Sequence, residues 1–365
     1  MSYYQNSISS GFIDLATYST TDHYMFGDNA KKDHPDLYQG DWTTNVPCEL
    51  SKVSEESNKQ SFRLSQERVY VDRLWLEIRV KTKDCKVPYL AHNIFEEITI
   101  TMNDLVIWRV DNYVLDFLMY VNMPSSKLSA YQKYTNVDKD GFCILCLPLP
   151  LRNSIPMFML FNTEGQLNLT LRQFDGVEIV RIQPWASYRI IPDQTQKTLL
   201  TKPLKIPIET YQTFQYRSVP EHNTTPNYDL RFSGSIRAWM VGAKKIDTFS
   251  TYERDFITSI SLAYEETARL NNLPPYYYEF VQPFYHSNAV NLEGIYLYSY
   301  SNGLLDDQKG AGTNYSRLTN TSLFLRLKPD TNIYRIVVVG IERKILCISD
   351  GSCSFLSEES TLQIE

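Results

Sequence analysis

Val69-Tyr-Val-Asp-Arg-Leu-Trp-Leu-Glu-Ile-Arg-Val-Lys81 sets the reading of the whole chain. Leu74, Leu76, Ile78 and Val80 alternate with Trp75, Glu77, Arg79 and Lys81. A period of two sends one set to a buried face and the other to an open one, so a half-buried strand is expected. The same period returns at Ile98, Ile100 and Met102, breaks at Asn103-Asp104 and resumes at Leu105 and Ile107 up to Trp108, which predicts a hairpin. Further strand patterns run over Phe142 to Leu151, Gly165 to Arg172 and Val177 to Ile182, with proline or glycine near their boundaries. Val114, Leu115, Phe117, Leu118 and Val121 recur at spacings of three and four instead, which marks one face of a helix, and Pro124 fits its stop.

Beyond Ile182 the pattern is interrupted. Pro184, Pro192, Pro203 and Pro207 flank the polar stretch Asp193 to Lys197, which reads as a crossover between two units with a boundary near residue 198. The second half repeats the style of the first. Strands are expected at Tyr228 to Phe232, Ser235 to Gly242, Glu293 to Ser299, Ser322 to Leu327 and Tyr334 to Ile341, with one short helix around Tyr264 to Asn271. Many short strands, turn signals between them and few helices argue for a mainly β chain built as two β-sandwiches.

Composition agrees with this reading and removes several functions. A chain of 365 residues is about twice the usual domain size of roughly 150. Hydrophobic residues at 43% and charged residues at 21% suit a folded chain, and 26 Tyr with 17 Phe favour β structure. The net charge of -6, with no run of like charges, argues against direct contact with nucleic acid. The first residues, MSYYQNSISSGFIDLAT, lack a basic start and an apolar core, so no standard signal segment is expected, and no stretch approaches the length of an apolar membrane span. Cys48, Cys85, Cys143, Cys146, Cys347 and Cys353 lie far apart for the most part, so reduced thiols and no disulfide framework are expected.

The residues that could carry chemistry do not converge. Cys143-Ile-Leu-Cys146 has the spacing of a metal knuckle, but three positions apart on a strand point to opposite faces. Cys347 and Cys353 have no histidine nearby in sequence. His23, His34, His92, His222 and His286 never form the H-x-H of a metal-binding jelly roll. The chain has neither a G-x-S-x-G elbow nor a glycine-rich phosphate cradle. Glu96-Glu97 and Glu265-Glu266 are adjacent carboxylates, whose side chains diverge on strand or helix, so a solvated or ion-paired surface is expected. The sequons at Asn168, Asn223, Asn314 and Asn320 read as chance occurrences. Tyr276-Tyr-Tyr278, after Pro274-Pro275, is either core and subunit contact or a sugar-stacking platform. No catalytic, cofactor-binding or metal residue is assigned, and no enzyme is expected.

Several blocks, in order along most of the chain, resemble the major capsid protein of iridoviruses and their ascovirus relatives. They begin with Ser10-Gly-Phe-Ile-Asp-Leu-Ala-Thr17 and Tyr24-Met-Phe-Gly27. They continue with His92-Asn-Ile-Phe-Glu-Glu-Ile-Thr-Ile-Thr-Met-Asn-Asp-Leu-Val106 and Asp111-Asn-Tyr-Val-Leu-Asp-Phe117. In the second half the blocks are Pro226 to Ser233, Tyr264 to Asn271, Pro283-Phe-Tyr-His286 and Gly312 to Asn320. The resemblance implies two consecutive eight-stranded antiparallel jelly rolls, a double jelly roll with a few short helices. It implies an N-terminal arm over 1–27, a first roll over 28–197, a second over 198–350 and a C-terminal tail over 351–365. It further implies a structural subunit of a large icosahedral capsid of a nucleocytoplasmic large DNA virus, forming homotrimeric pseudo-hexagonal capsomers. Neighbouring capsomers and minor capsid or cement proteins would be its partners in the virion, with assembly in the host cytoplasm.

Phe12, Leu15 and Ala16 share one helical face, and the resemblance places this arm at the inner surface of the shell, as an amphipathic foot on an internal membrane or as a packing arm. The chain departs from the family in shorter loops and in Asp193-Gln-Thr-Gln196, which stands where the family carries an acidic-arginine pair. A minor or vertex capsid paralogue is therefore an alternative, and a carbohydrate-binding or cupin-like jelly roll is the alternative of another class.

Overall fold

Alternating burial along Val69–Thr82 lays the first sheet. Leu74, Leu76, Ile78 and Val80 are buried, while Trp75, Glu77, Arg79 and Lys81 face away. The structure, a computed structural model, describes residues 45–356 except 66–68, 83–86, 150–154, 174–175, 191–195, 198–199, 202, 247–250, 266, 289–293, 302–303 and 305–311. The expected N-terminal arm lies outside the described residues.

Eight principal strands make up the first half: β1 (Asn45–Glu49), β2 (Lys59–Arg63), β3 (Val69–Thr82), β4 (Phe95–Met102), β5 (Leu105–Val110), β6 (Phe142–Leu147), β7 (Gly165–Leu171) and β8 (Val177–Ile190). They form two sheets, ordered β1-β8-β3-β6 and β2-β7-β4-β5, the latter extended by Ser51–Glu55 beside β2. The second half supplies β9 (Leu204–Ser218), β10 (Asn227–Asp229), β11 (Ser235–Lys245), β12 (Ile257–Tyr264), β13 (Thr267–Leu273), β14 (Ile295–Ser299), β15 (Thr321–Leu327) and β16 (Tyr334–Ser349). Their sheets are β9-β16-β11-β14 and β10-β15-β12-β13. Both halves therefore pair first strand with last, third with sixth, second with seventh and fourth with fifth, all antiparallel. This is jelly-roll topology, in which two sheets fold over one core. The chain is a double jelly roll.

Helices sit between the fifth and sixth strands of each roll. In the first roll they are Asn112–Asn122 and Ser125–Thr135, and a short helix, Leu90–Asn93, precedes β4. In the second roll a π turn, Tyr277–Val281, runs into Gln282–His286. Asp111 caps Asn112–Asn122 by accepting from the Val114 N–H at 2.8 Å.

Several local expectations change or extend. The helix expected around Tyr264 to Asn271 is a hairpin between β12 and β13: Glu265 turns the chain at φ +48°, and Ala263 pairs with Ala268. Glu, Ala, Arg and Leu favour a helix there, but pairing with β12 overrides that weak preference. Pro184 lies inside β8, opposite Leu76, rather than in a crossover. Its carbonyl accepts from Leu50 at 3.0 Å just past the end of β1, so the side lacking an N–H is where pairing runs out. Pro207 lies in β9, an edge strand, which tolerates the missing donor. Pro124 both ends one helix and opens the next, Ser125–Thr135, where the missing N–H costs nothing. Within the expected tail, Ser352–Phe355 is a strand paired with β16, and residues 357–365 lie outside the described residues.

Strands covered on both faces read differently from β3. In β11 and β16, Trp239, Val241, Ile336 and Val338 fill the interior of the second roll, while Ala238, Met240, Val337, Val339 and Ile341 join the core shared with the first. Two buried faces explain the continuous apolar run Ile336-Val-Val-Val339.

The turn before β6 depends on one glycine. Gly141 has φ +76°, a Cβ there would stand 2.1 Å from the Val80 carbonyl oxygen, and its own carbonyl accepts from the Val80 N–H at 2.8 Å. Gly141→Ala is expected to cost about 3 kcal/mol in urea unfolding, since backbone strain and the clash act together. A loss under about 0.5 kcal/mol would show that the turn relaxes freely.

Candidate functional site

Tyr113, Asp116 and Phe117 lie on the Asn112–Asn122 helix where it meets the second roll. Asp116 Oδ1 lies 2.7 Å from His92 Nδ1, and Lys244 of β11 donates to Asp116 Oδ2 at 2.5 Å. A carboxylate can only accept, so Nδ1 carries the proton, and His92 Nε2 is placed 2.9 Å from the Tyr131 hydroxyl. The Lys244 ammonium also stands 4.4 Å from the Tyr252 ring centre, and Tyr252 stacks on Phe117 at 4.9 Å. Arg335 of β16 donates to the Tyr113 hydroxyl. A second clasp joins Thr163 Oγ1 to the Gly351 carbonyl at 2.8 Å and the Asn162 amide to the Asp350 carbonyl at 2.9 Å. Charge, aromatic and backbone contacts thus close a buried seam between the rolls.

Burial alone would push the Asp116 carboxyl up, but the Lys244 ammonium and the His92 donor outweigh it and hold it below the ordinary carboxylate value. A depressed folded value gives stability that is present above the unfolded value of about 4 and lost as the pH falls through the folded one. Burial raises Asp111 next to it, which acts in the opposite sense. The informative quantity is therefore a difference. Wild type is expected to lose stability more steeply than Asp116→Asn as the pH is lowered from 5 to 3, read by urea unfolding. Parallel pH profiles would show that Asp116 does not titrate against Lys244.

The residues singled out from the sequence do not gather into a site. Cys143 is buried and Cys146 exposed, on opposite faces of β6. Glu97 pairs with Arg109 at 3.0 Å, and Glu265 accepts from the Thr319 hydroxyl at 3.2 Å; Glu266, His23 and His34 lie outside the described residues. Asn168 donates to Thr101 Oγ1 at 3.0 Å within its sheet. Of the described histidines, His92 holds the Asp116 carboxylate of the seam, and His222 and His286 belong to the second half of the chain.

Tyr276-Tyr-Tyr278 divides by role. Tyr278 is fully buried, with its hydroxyl donating to the Ile260 carbonyl, and the Tyr277 hydroxyl accepts from Gln282 at 2.8 Å. Tyr276 is 65% exposed and stands with Phe280 (51%), Phe284 (57%) and Tyr285 (70%) in one exposed aromatic stretch. Phe280 and Phe284 lie 5.9 Å apart, and Phe284 meets Tyr285 edge-on at 5.1 Å. Sequence reasoning missed this patch beyond Tyr276, although Phe284 and Tyr285 sit in a quoted block. Chemically, these elements offer a rigid two-roll block and an aromatic contact surface.

A family model described as large eukaryotic DNA virus major capsid protein matches residues 196–345. The major capsid protein of Wiseana iridescent virus is 26% identical over 96% of this chain and 94% of its own length. Nearly the whole chain is thus similar to major capsid proteins of large eukaryotic DNA viruses. The chain is also similar in fold to a chain of the PBCV-1 virus capsid, with TM-score 0.77 at 15% identity, covering 86% of this chain and 96% of that one. The Faustovirus major capsid protein matches with TM-score 0.63 at 8% identity over 84% of this chain and 90% of that one. The alignment with the Wiseana relative runs over 455 positions, more than the 365 residues of the chain, so insertions in the relative account for the surplus.

Proposed function

We propose that three copies of this subunit close into a pseudo-hexagonal capsomer that tiles an icosahedral shell. The observation that carries this reading is the repeated strand order of the two rolls together with the buried seam between them. Two similar rolls held as one block give a threefold ring six near-equivalent edges, so one tile can meet six neighbours. Domains over 28–197 and 198–350, an N-terminal arm over 1–27 and a tail over 351–365 fit this plan. Each contact within the ring is expected to bury over about 2,000 Å², the range of obligate interfaces.

Neighbouring capsomers and minor capsid or cement proteins are the partners, the arm over 1–27 serves either as a packing arm or as a foot on an internal virion membrane, and assembly proceeds in the host cytoplasm. A net charge of -6 supports a shell tile without direct nucleic-acid contact. Shorter loops than those of the relatives favour low outward towers, and also suit a minor or vertex paralogue, which copy number in purified particles separates from the main tile. Light scattering on the purified chain at micromolar concentration is expected to give the mass of three chains, and a stable monomer would end the capsomer reading.

A further inference from the structure

The seam inside one chain describes half of a repeating contact. Its donor is the connection between the fifth and sixth strands of the first roll, which carries Tyr113, Asp116 and Phe117. Its acceptor is the outer face of the β9-β16-β11-β14 sheet, where Met240, Val337 and Val339 are buried and Lys244 and Arg335 take up Asp116 and Tyr113. Each roll owns both parts, so among the described residues a second donor and a second acceptor are left over.

The second donor is the matching connection of the second roll, between β13 and β14. It carries Tyr276, Phe280, Phe284 and Tyr285, which are half to two-thirds exposed. At 150–250 Å² per ring, roughly 400–600 Å² of aromatic surface stays uncovered, the size that marks an interface on a soluble protein. The second acceptor is the outer face of the β1-β8-β3-β6 sheet. Leu74, Leu76, Ile182 and Ala186 fill the roll beneath it. On its outer side Trp75 and Trp185 stack with ring centres 6.0 Å apart and planes 4° apart, and Phe142 and Ile144 of β6 are half-buried beside them. Lys81 and Glu178, at the end of β3 and the start of β8, occupy the register positions that Lys244 and Arg335 hold in the second roll.

We infer that the Tyr276–Tyr285 aromatic patch of one copy docks on the Trp75/Trp185 face of the next, repeating between chains the contact that the seam makes within one. The inference rests on the capsomer reading and assigns its interface. It is a head-to-tail contact, with different surfaces on its two sides, and a rotation of about 120° from copy to copy closes it into a ring of three rather than an open filament.

Phe284→Glu with Tyr285→Glu removes the patch, and Trp75→Lys removes the face; Ile144→Lys is a second face variant that leaves the tryptophan pair in place. Each, once shown by circular dichroism to keep the wild-type spectrum, is expected to be monomeric at micromolar concentration, with association weakened at least 100-fold. Mixing a patch variant with a face variant at tens of micromolar is expected to give dimers and no trimers, because each pair retains one intact patch-to-face contact. Patch variants that still form trimers like wild type would overturn the inference and leave the capsomer reading intact. Folded variants whose mixture stays monomeric would also overturn it, since patch and face would then have other partners. A monomeric wild type would remove both readings.

Discussion

Asp116→Ala is expected to lower the stability of the chain by about 3–5 kcal/mol, because it strands the Lys244 ammonium and the His92 ring in a buried seam. Removing one member of a buried ion pair costs more than the pair contributes, since the surviving charge has lost both water and partner. The companion double variant, Asp116→Leu with Lys244→Met, is expected to recover most of that loss, as it leaves no buried charge. Urea unfolding of the three proteins decides the matter. A loss under about 1 kcal/mol for the single variant would place Asp116 among ordinary surface pairs and not at the joint of the two rolls.

Trp239→Ala is expected to cost about 3–5 kcal/mol for a different reason. Trp239 is fully buried in the second roll, packs in a three-ring cluster with Tyr278 and Tyr298 at 6.0 and 5.5 Å, and donates from Nε1 to the Tyr300 hydroxyl at 3.2 Å. Tyr300 in turn meets the Tyr315 hydroxyl at 2.8 Å and the Tyr264 hydroxyl. Truncation therefore empties an aromatic core and takes one donor from a buried hydroxyl cluster. Phe324→Ala, an exposed site on β15, is the control and is expected to stay within about 0.5 kcal/mol of wild type. Equal losses at the two positions would show that the second roll lacks the packed interior described for it.

Strands with one open face were the easiest to read. In Gly165–Leu171 every second residue is buried, and the period of two in the sequence is the same fact seen before folding. Strands covered on both faces were recognised but shortened, because a continuous apolar run does not mark where it ends: β16 continues past Ile341 to Ser349. Proline misled in two ways, hiding β9 behind Pro207 and cutting β8 at Pro184, since whether a missing N–H matters depends on which edge of the sheet it faces. The seam was half visible. His92 and Asp116 stand in the quoted blocks, but Lys244 lies 128 residues from Asp116 and sits at the end of an apolar strand with nothing local to mark it. The aromatic patch escaped for the same reason, because exposure of Phe280 is a property of the folded surface and not of its neighbours in sequence.

Imaging the purified chain by negative-stain electron microscopy tests the capsid-tile assignment most directly. Particles with a hexagonal outline and threefold symmetry are the expected result, each roll supplying one of the six corners. Compact two-lobed particles of single chains, at concentrations where the chain is folded, would contradict it.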